Sequence, residues 1–256
     1  MRASLATLVY AAVIAVPAIA LAASKNPHAG SAAGPDTAIV HLGSADGGTN
    51  GFVAWPSEHN PSAGVVVAFE WWGLNGEIRG LARRLSREGY VAIVPDLYHG
   101  KVPSDPEQAH ELSRALEDEG ALVDLQSAVT WLRQQPSMAK RRVGVIGFCM
   151  GGGLSQRLAL HSPQISAAVM FYGVPETDPQ ALRALAGPLQ AHFGATDQGI
   201  PPSRAEDLKK ALKAAGKVGE VYVYPGAGHA FMNETRPSYA PDAARQAWAR
   251  TLAFFQ

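Results

Sequence analysis

The single cysteine of the chain, Cys149, stands in Val143-Gly-Val-Ile-Gly-Phe-Cys-Met-Gly-Gly-Gly153, an apolar run that opens into small residues around one polar atom. Gly147 and Gly151 lie two residues either side of it. That is the spacing of a nucleophile elbow, G-x-S-x-G, with sulfur in place of oxygen: the nucleophile sits on a strained turn between a buried strand and a helix, and the glycines let the backbones approach. A buried apolar cysteine is the ordinary alternative for a free thiol, and the pentapeptide alone does not separate the two.

A base and an acid downstream decide between them. Leu189-Gln-Ala-His-Phe-Gly-Ala-Thr-Asp197 reads as an apolar strand and a turn ending in Asp197; Val221-Tyr-Val-Tyr-Pro-Gly-Ala-Gly-His229 reads as a strand and a glycine-flanked loop carrying His229. Taken singly, an aspartate in a turn is a turn former and a loop histidine is a polar surface residue. Together they follow Cys149 in the order nucleophile, acid, base. A histidine takes the thiol proton, and a carboxylate fixes the imidazole tautomer and stabilises its charged form.

These residues require a scaffold that brings strand ends together. Strands are expected at Ala38 to Leu42, Asn50 to Trp55, Gly64 to Phe69, Val91 to Pro95, Arg142 to Gly147, Ala167 to Tyr172, Leu189 to Gly194 and Val221 to Tyr224. Helices are expected at Asn75 to Glu88, Pro106 to Leu116, Ala121 to Gln135, Gly152 to His161, Pro179 to Ala186, Arg204 to Ala215 and Asp242 to Phe255. The first two strands form a hairpin and the rest alternate with helices. The fold class is therefore α/β: a mostly parallel central sheet with an antiparallel N-terminal edge and helices on both faces, its ligand beyond the carboxyl ends of the strands.

The chain resembles the dienelactone hydrolases, also called carboxymethylenebutenolidases, a cysteine branch of the α/β-hydrolases. The resemblance runs from about Asp36 to the C-terminus and rests on Glu70-Trp-Trp-Gly-Leu-Asn75, Gly89-Tyr-Val-Ala-Ile-Val-Pro-Asp-Leu-Tyr98, Gly147-Phe-Cys-Met-Gly-Gly152, Phe171-Tyr-Gly173, Gly194-Ala-Thr-Asp197 and Gly226-Ala-Gly-His-Ala-Phe231. It implies that Glu70 lies beside the thiol in the resting enzyme and takes part in activating it as substrate binds. From the residues alone Glu70 closes an apolar strand, where a solvated strand-end glutamate is the plain reading and a buried one needs partners. The backbone amides of Trp71 and Met150 are the expected oxyanion donors. The implied reaction is ester or lactone hydrolysis through a Cys149 thioester, with no metal or other cofactor.

Trp72, Tyr98, Tyr172 and Phe231 fall near the strand ends and are candidates for the substrate wall, with ordinary packing as the alternative. The family pattern places an arginine shortly after the histidine to hold a substrate carboxylate; here Asn233 occupies that position, so a less charged lactone or a simple ester suits the site as well as a dienelactone. Arg114 reads as a solvated helix arginine and His192 as a satisfied core histidine.

Residues 1–23 read as a secretory signal peptide cleaved before Ala23, with an uncleaved membrane anchor as the lesser alternative, and 24–35 as a flexible tether to the hydrolase domain, 36–256. The protein is thus expected to be periplasmic or secreted, without stable membrane association after cleavage. One cysteine forms no intramolecular disulfide. The 22 basic and 22 acidic residues balance without a basic stripe, against a nucleic-acid surface, and no zinc spacing, phosphate loop or dinucleotide fingerprint appears. The expected partner is a small ester or lactone; a monomer is slightly favoured. Three alternatives stay open: a non-catalytic binding protein on the same fold, a general carboxylesterase for neutral esters, and a thiol redox enzyme, which the lack of a resolving cysteine disfavours.

Overall fold

Short runs of β-branched and small apolar residues supply the strands. In the computed structural model, which describes residues 36–43 and 47–256, they are β1 (Asp36–Leu42), β2 (Thr49–Trp55), β3 (Ala63–Ala68), β4 (Tyr90–Pro95), β5 (Val143–Phe148), β6 (Ile165–Phe171), β7 (Leu189–Gly194) and β8 (Gly219–Tyr224). The expected signal peptide and tether lie outside the described residues. The strands form one sheet in the order β1-β2-β4-β3-β5-β6-β7-β8. β2 is antiparallel to both β1 and β4, and the remaining pairings are parallel. The sheet is the one expected, and the reversal resides in β2 alone.

The helices are α1 (Gly76–Arg87), α2 (Pro106–Ala115), α3 (Asp118–Gln134), α4 (Met150–His161), α5 (Pro179–Leu182), α6 (Ser203–Ala215) and α7 (Pro241–Phe255). Each departure from expectation has a local cause. α3 starts three residues early because Asp118 and Glu119 suit the positive end of a helix. α5 stops at Leu182, and the chain continues to Leu185 in tight turns, Ala184 N–H to the Ala181 carbonyl and Leu185 N–H to that of Leu182. A 3₁₀ turn at Pro136–Met138 was not foreseen.

Every residue of β4, β5 and β7 is buried, as parallel strands covered on both faces must be. Within β7, His192 is fully buried and both ring nitrogens are paired, Nδ1 with the Tyr224 hydroxyl and Nε2 with Gln190 Oε1, each at 2.8 Å. Burial pushes its pKa down to about 3, so it is a neutral core residue, as expected. No helix among the described residues is long and apolar enough to cross a membrane.

Register sets the level at which the site forms. Ala68 pairs with Gly147, Phe148 with Phe171, Phe171 with His192 and Gly194 with Tyr224. The parallel strands therefore end together, and the loops carrying Glu70, Cys149, Tyr172, Asp197 and His229 leave the same edge.

Candidate active site

Between β5 and α4 the chain turns through one residue. Cys149 has φ 54° and ψ −117°, and α4 begins at the next residue. A non-glycine residue held there costs about 1–3 kcal/mol and persists only where its surroundings fix it. They do: Cys149 N–H donates to the Phe171 carbonyl at 3.0 Å, and its own carbonyl accepts from Gly152 N–H at 2.9 Å. A Cβ on Gly147 would lie 1.8 Å from the Gly151 carbonyl oxygen, and one on Gly151 would lie 2.2 Å from that of Ala68. Both glycines of the motif are thus sterically required. Of the five positive-φ non-glycine residues among those described, Cys149, Tyr172 and Ala230 lie at this site.

The three residues expected to act together are in contact. His229 Nε2 is 3.1 Å from Cys149 Sγ, and His229 Nδ1 is 2.7 Å from Asp197 Oδ2. The Asp197 side chain is 1% exposed and that of His229 is 38% exposed, so the imidazole bridges solvent and interior. Asp197 Oδ1 accepts from the amides of Gly199 and Ile200, each at 2.9 Å, which fixes the carboxylate. With Oδ2 as an acceptor, His229 Nδ1 carries its proton and Nε2 is left to accept from the thiol.

The amides of Met150 and Trp71 both reach the Cys149 sulfur and favour its charged form. They are the two expected oxyanion donors. Tyr98, a candidate wall residue, holds them: its hydroxyl donates to the Trp71 carbonyl at 3.2 Å and lies 3.7 Å from Met150 Sδ. Despite these amides, burial first, and then the negative charges of Glu70 and Asp197, push the thiol up to about 12. These influences favour the neutral thiol over the thiolate.

Glu70 is 7% exposed. The Tyr172 hydroxyl donates to its Oε1 at 3.0 Å and the Asn233 side-chain amide to its Oε2 at 2.9 Å. Burial raises its pKa, against the opposing pull of Asn233, Tyr172, His229 and Arg236. A negative charge on Glu70 disfavours the thiolate in this resting arrangement. One point of the sequence reading changes: Asn233 is not a free group at the substrate's disposal. Asn233 is 3% exposed; it spends its amide on Glu70, and its Oδ1 accepts from Thr235 N–H and Oγ1.

The other candidates divide by burial. Tyr172 and Phe231 have no exposed surface; their rings meet edge to face at 5.4 Å, and Tyr172 meets His229 likewise at 5.2 Å. They stand behind the site and support it. Trp72 is partly exposed, and the Arg236 guanidinium lies 3.8 Å above its ring. Arg236 was missed because it lies three residues beyond the position where an arginine was sought; a loop of tight turns, Asn233 N–H to the Ala230 carbonyl and Arg236 N–H to that of Asn233, brings it back. Glu77 was missed as well. It stands in the first turn of α1, and burial, then the charges of Glu70 and Glu234, push its carboxyl up to about 7. Arg114 is exposed on α2, as expected. No metal-binding cluster occurs among the described residues.

Comparison with known proteins identifies the family. The model of the family described as "Dienelactone hydrolase family" matches residues 49–256. A protein of Escherichia coli (strain K12) named "Putative carboxymethylenebutenolidase" is 33% identical over 241 residues, covering 87% of this chain and 89% of the relative. "Protein usf" of Aquifex pyrophilus is 35% identical over 214 residues, covering 80% and 92%. A solved structure, "Putative Dienelactone Hydrolase from Klebsiella pneumoniae", superposes with a TM-score of 0.79 at 32% identity, over 87% of this chain and 99% of that one.

Proposed function

Since the chain belongs to the dienelactone hydrolase family and is a hydrolase of esters or lactones, we propose that it works through a Cys149 thioester, with His229 as base and acid and Asp197 as the group that orients it. One observation carries this reading: the His229 ring joins Sγ at 3.1 Å to a buried carboxylate at 2.7 Å.

With the thiol at about 12, a standing thiolate is a negligible fraction at neutral pH, so the proton leaves as the bond forms. The Sγ–H proton passes to His229 Nε2 while sulfur attacks the carbonyl carbon. The carbonyl electron pair moves to oxygen, which the amides of Trp71 and Met150 hold. The C–O bond to the leaving group then breaks, and His229 returns the proton to that oxygen. Water, deprotonated by His229, attacks the thioester and frees the acid and the thiol. Asp197 stabilises the imidazolium in both halves. Glu70, clamped by Tyr172 and Asn233, keeps the thiol protonated until a substrate carbonyl is present.

Hydrolysis of 4-nitrophenyl butanoate and of a carboxylated dienelactone, by wild type and by Cys149→Ala, tests the reading. The variant is expected to lose kcat by at least about 10³ with its unfolding midpoint retained, and mass spectrometry of wild type acid-quenched during turnover of the ester is expected to find the acyl group on Cys149. Undiminished turnover by Cys149→Ala would overturn the thioester.

A further inference from the structure

Beside the site, along the outer face of α4, lies a cavity of about 570 Å³, within the range of about 300–1,000 Å³ typical of small-molecule sites. We infer that this cavity is an acyl-chain groove, so that the esters the enzyme prefers carry an unbranched aliphatic acid; the inference rests on the thioester reading and extends it.

Four features support it. One strip of the walls is aliphatic: Met150, Leu154 and Leu160 on α4 face Val174, Ala181 and Ala184 on the segment after β6, and polar groups make up much of the rest. The α4 residues recur at helical spacing from Met150 to His161, so the cavity runs about 16 Å along the helix, long enough for a chain rather than a ring. The far wall is fixed to the near one. Gln156, 1% exposed, donates through Nε2 to the Glu176 carbonyl at 3.2 Å and accepts from Glu176 N–H at 2.7 Å. The far end is closed by polar groups, the Arg157–Asp118 ion pair and His161, so the apolar stretch has a limit.

Adjacency to the proposed oxyanion donor points to the occupant. The cavity begins at Met150, the residue after Cys149 and the proposed donor, whereas Cys149, His229 and Asp197 are not among its lining. In acyl transfer the leaving oxygen must face His229 Nε2, which protonates it. The substituent on the Met150 side is then the acyl chain. Val174, 60% exposed on the groove's rim, is a large apolar side chain that an occupant would cover.

Full burial of a methylene raises specificity about fourfold, and half-burial about twofold. Lengthening the acid from butanoate to octanoate adds four methylenes and is expected to raise kcat/KM about sixteenfold for a half-covered chain. Val174→Trp and Ala184→Trp fill the groove from two exposed positions, so neither disturbs the core, and each is expected to bring the octanoate-to-butanoate ratio close to one. A flat ratio in the wild type, with cysteine-dependent turnover of the butanoate, would overturn the groove and leave the thioester standing. A gain for octyl acetate over butyl acetate, in place of the gain for octanoate, would overturn the acyl assignment. Loss of cysteine dependence for every ester would remove the thioester reading and the groove with it.

Discussion

A thiol held near 12 has a kinetic signature that separates a neutral resting nucleophile from a preformed thiolate–imidazolium pair. At pH 8 an ordinary thiol, with a pKa of about 8.5, is roughly one quarter ionised; Cys149, pushed up to about 12, is ionised to about one part in 10⁴. The deficit is about 2,000-fold. Part is returned, because a more basic thiolate is a better nucleophile: a Brønsted slope of about 0.4–0.5 over roughly 3.5 units gives back about 40-fold. Iodoacetamide is therefore expected to alkylate the folded protein about 50-fold more slowly at pH 8 than the same chain in urea, with only one cysteine to report. The logarithm of the folded-state rate is expected to rise by about one per pH unit from 6 to 10 without levelling. A plateau between pH 6 and 8, or folded-state alkylation as fast as that in urea, would refute the burial argument and mean that His229 already holds the proton.

Two further outcomes follow from charges near Glu70. Glu77, raised to about 7 from 4.5, binds its proton more tightly folded than unfolded, so stability is intact below about pH 4.5, falls as pH rises and levels off above pH 7; at 1.36 kcal/mol per unit the loss is at most about 3 kcal/mol, and about 1–2 after allowance for its partial exposure. Glu77→Gln is therefore expected to stabilise the protein by that amount at pH 8 and by nothing at pH 4 in urea unfolding, and equal effects at both would contradict the assignment. Arg236, lying on Trp72 within the field of Glu70 and Glu77, is the cation nearest to hand for a carboxylate-bearing substrate; Arg236→Gln is expected to lower kcat/KM for a carboxylated lactone about tenfold relative to a neutral ester, and an unchanged ratio would remove it from substrate recognition.

The strands, and the meeting of Cys149, Asp197 and His229 at one edge, were readable because each rested on local pattern. Val65-Val-Val-Ala68 and Val143 to Phe148 announce buried parallel strands by composition, and Gly147 and Gly151 announce the elbow because no other residue fits between those carbonyls. Contacts made across the sequence were not readable. Asn233 and Glu70 are 163 positions apart, and nothing local in either tells that one clamps the other. Phe231 and Tyr172 looked like wall residues because aromatic side chains near strand ends often are, but their neighbours close over them. Arg236 was hidden by two successive turns that fold a position too distant in sequence back onto Trp72.

The distribution of cost along the chain bears on whether the fold is catalytic or only binds. Cys149, Tyr172 and Ala230 hold unfavourable backbone conformations at one strand-end edge, and the same edge buries Glu70, Glu77 and the thiol in surroundings that raise the pKa of all three. A cavity that only binds an ester needs none of this; apolar walls and a few amides suffice. The turn at Cys149 points a sulfur at two amides and an imidazole at once, an arrangement that fits the proposed exchange of a proton for a carbon–sulfur bond. The site is therefore best explained as one where stability has been given up for reactivity, with the surrounding buried sheet supplying the surplus.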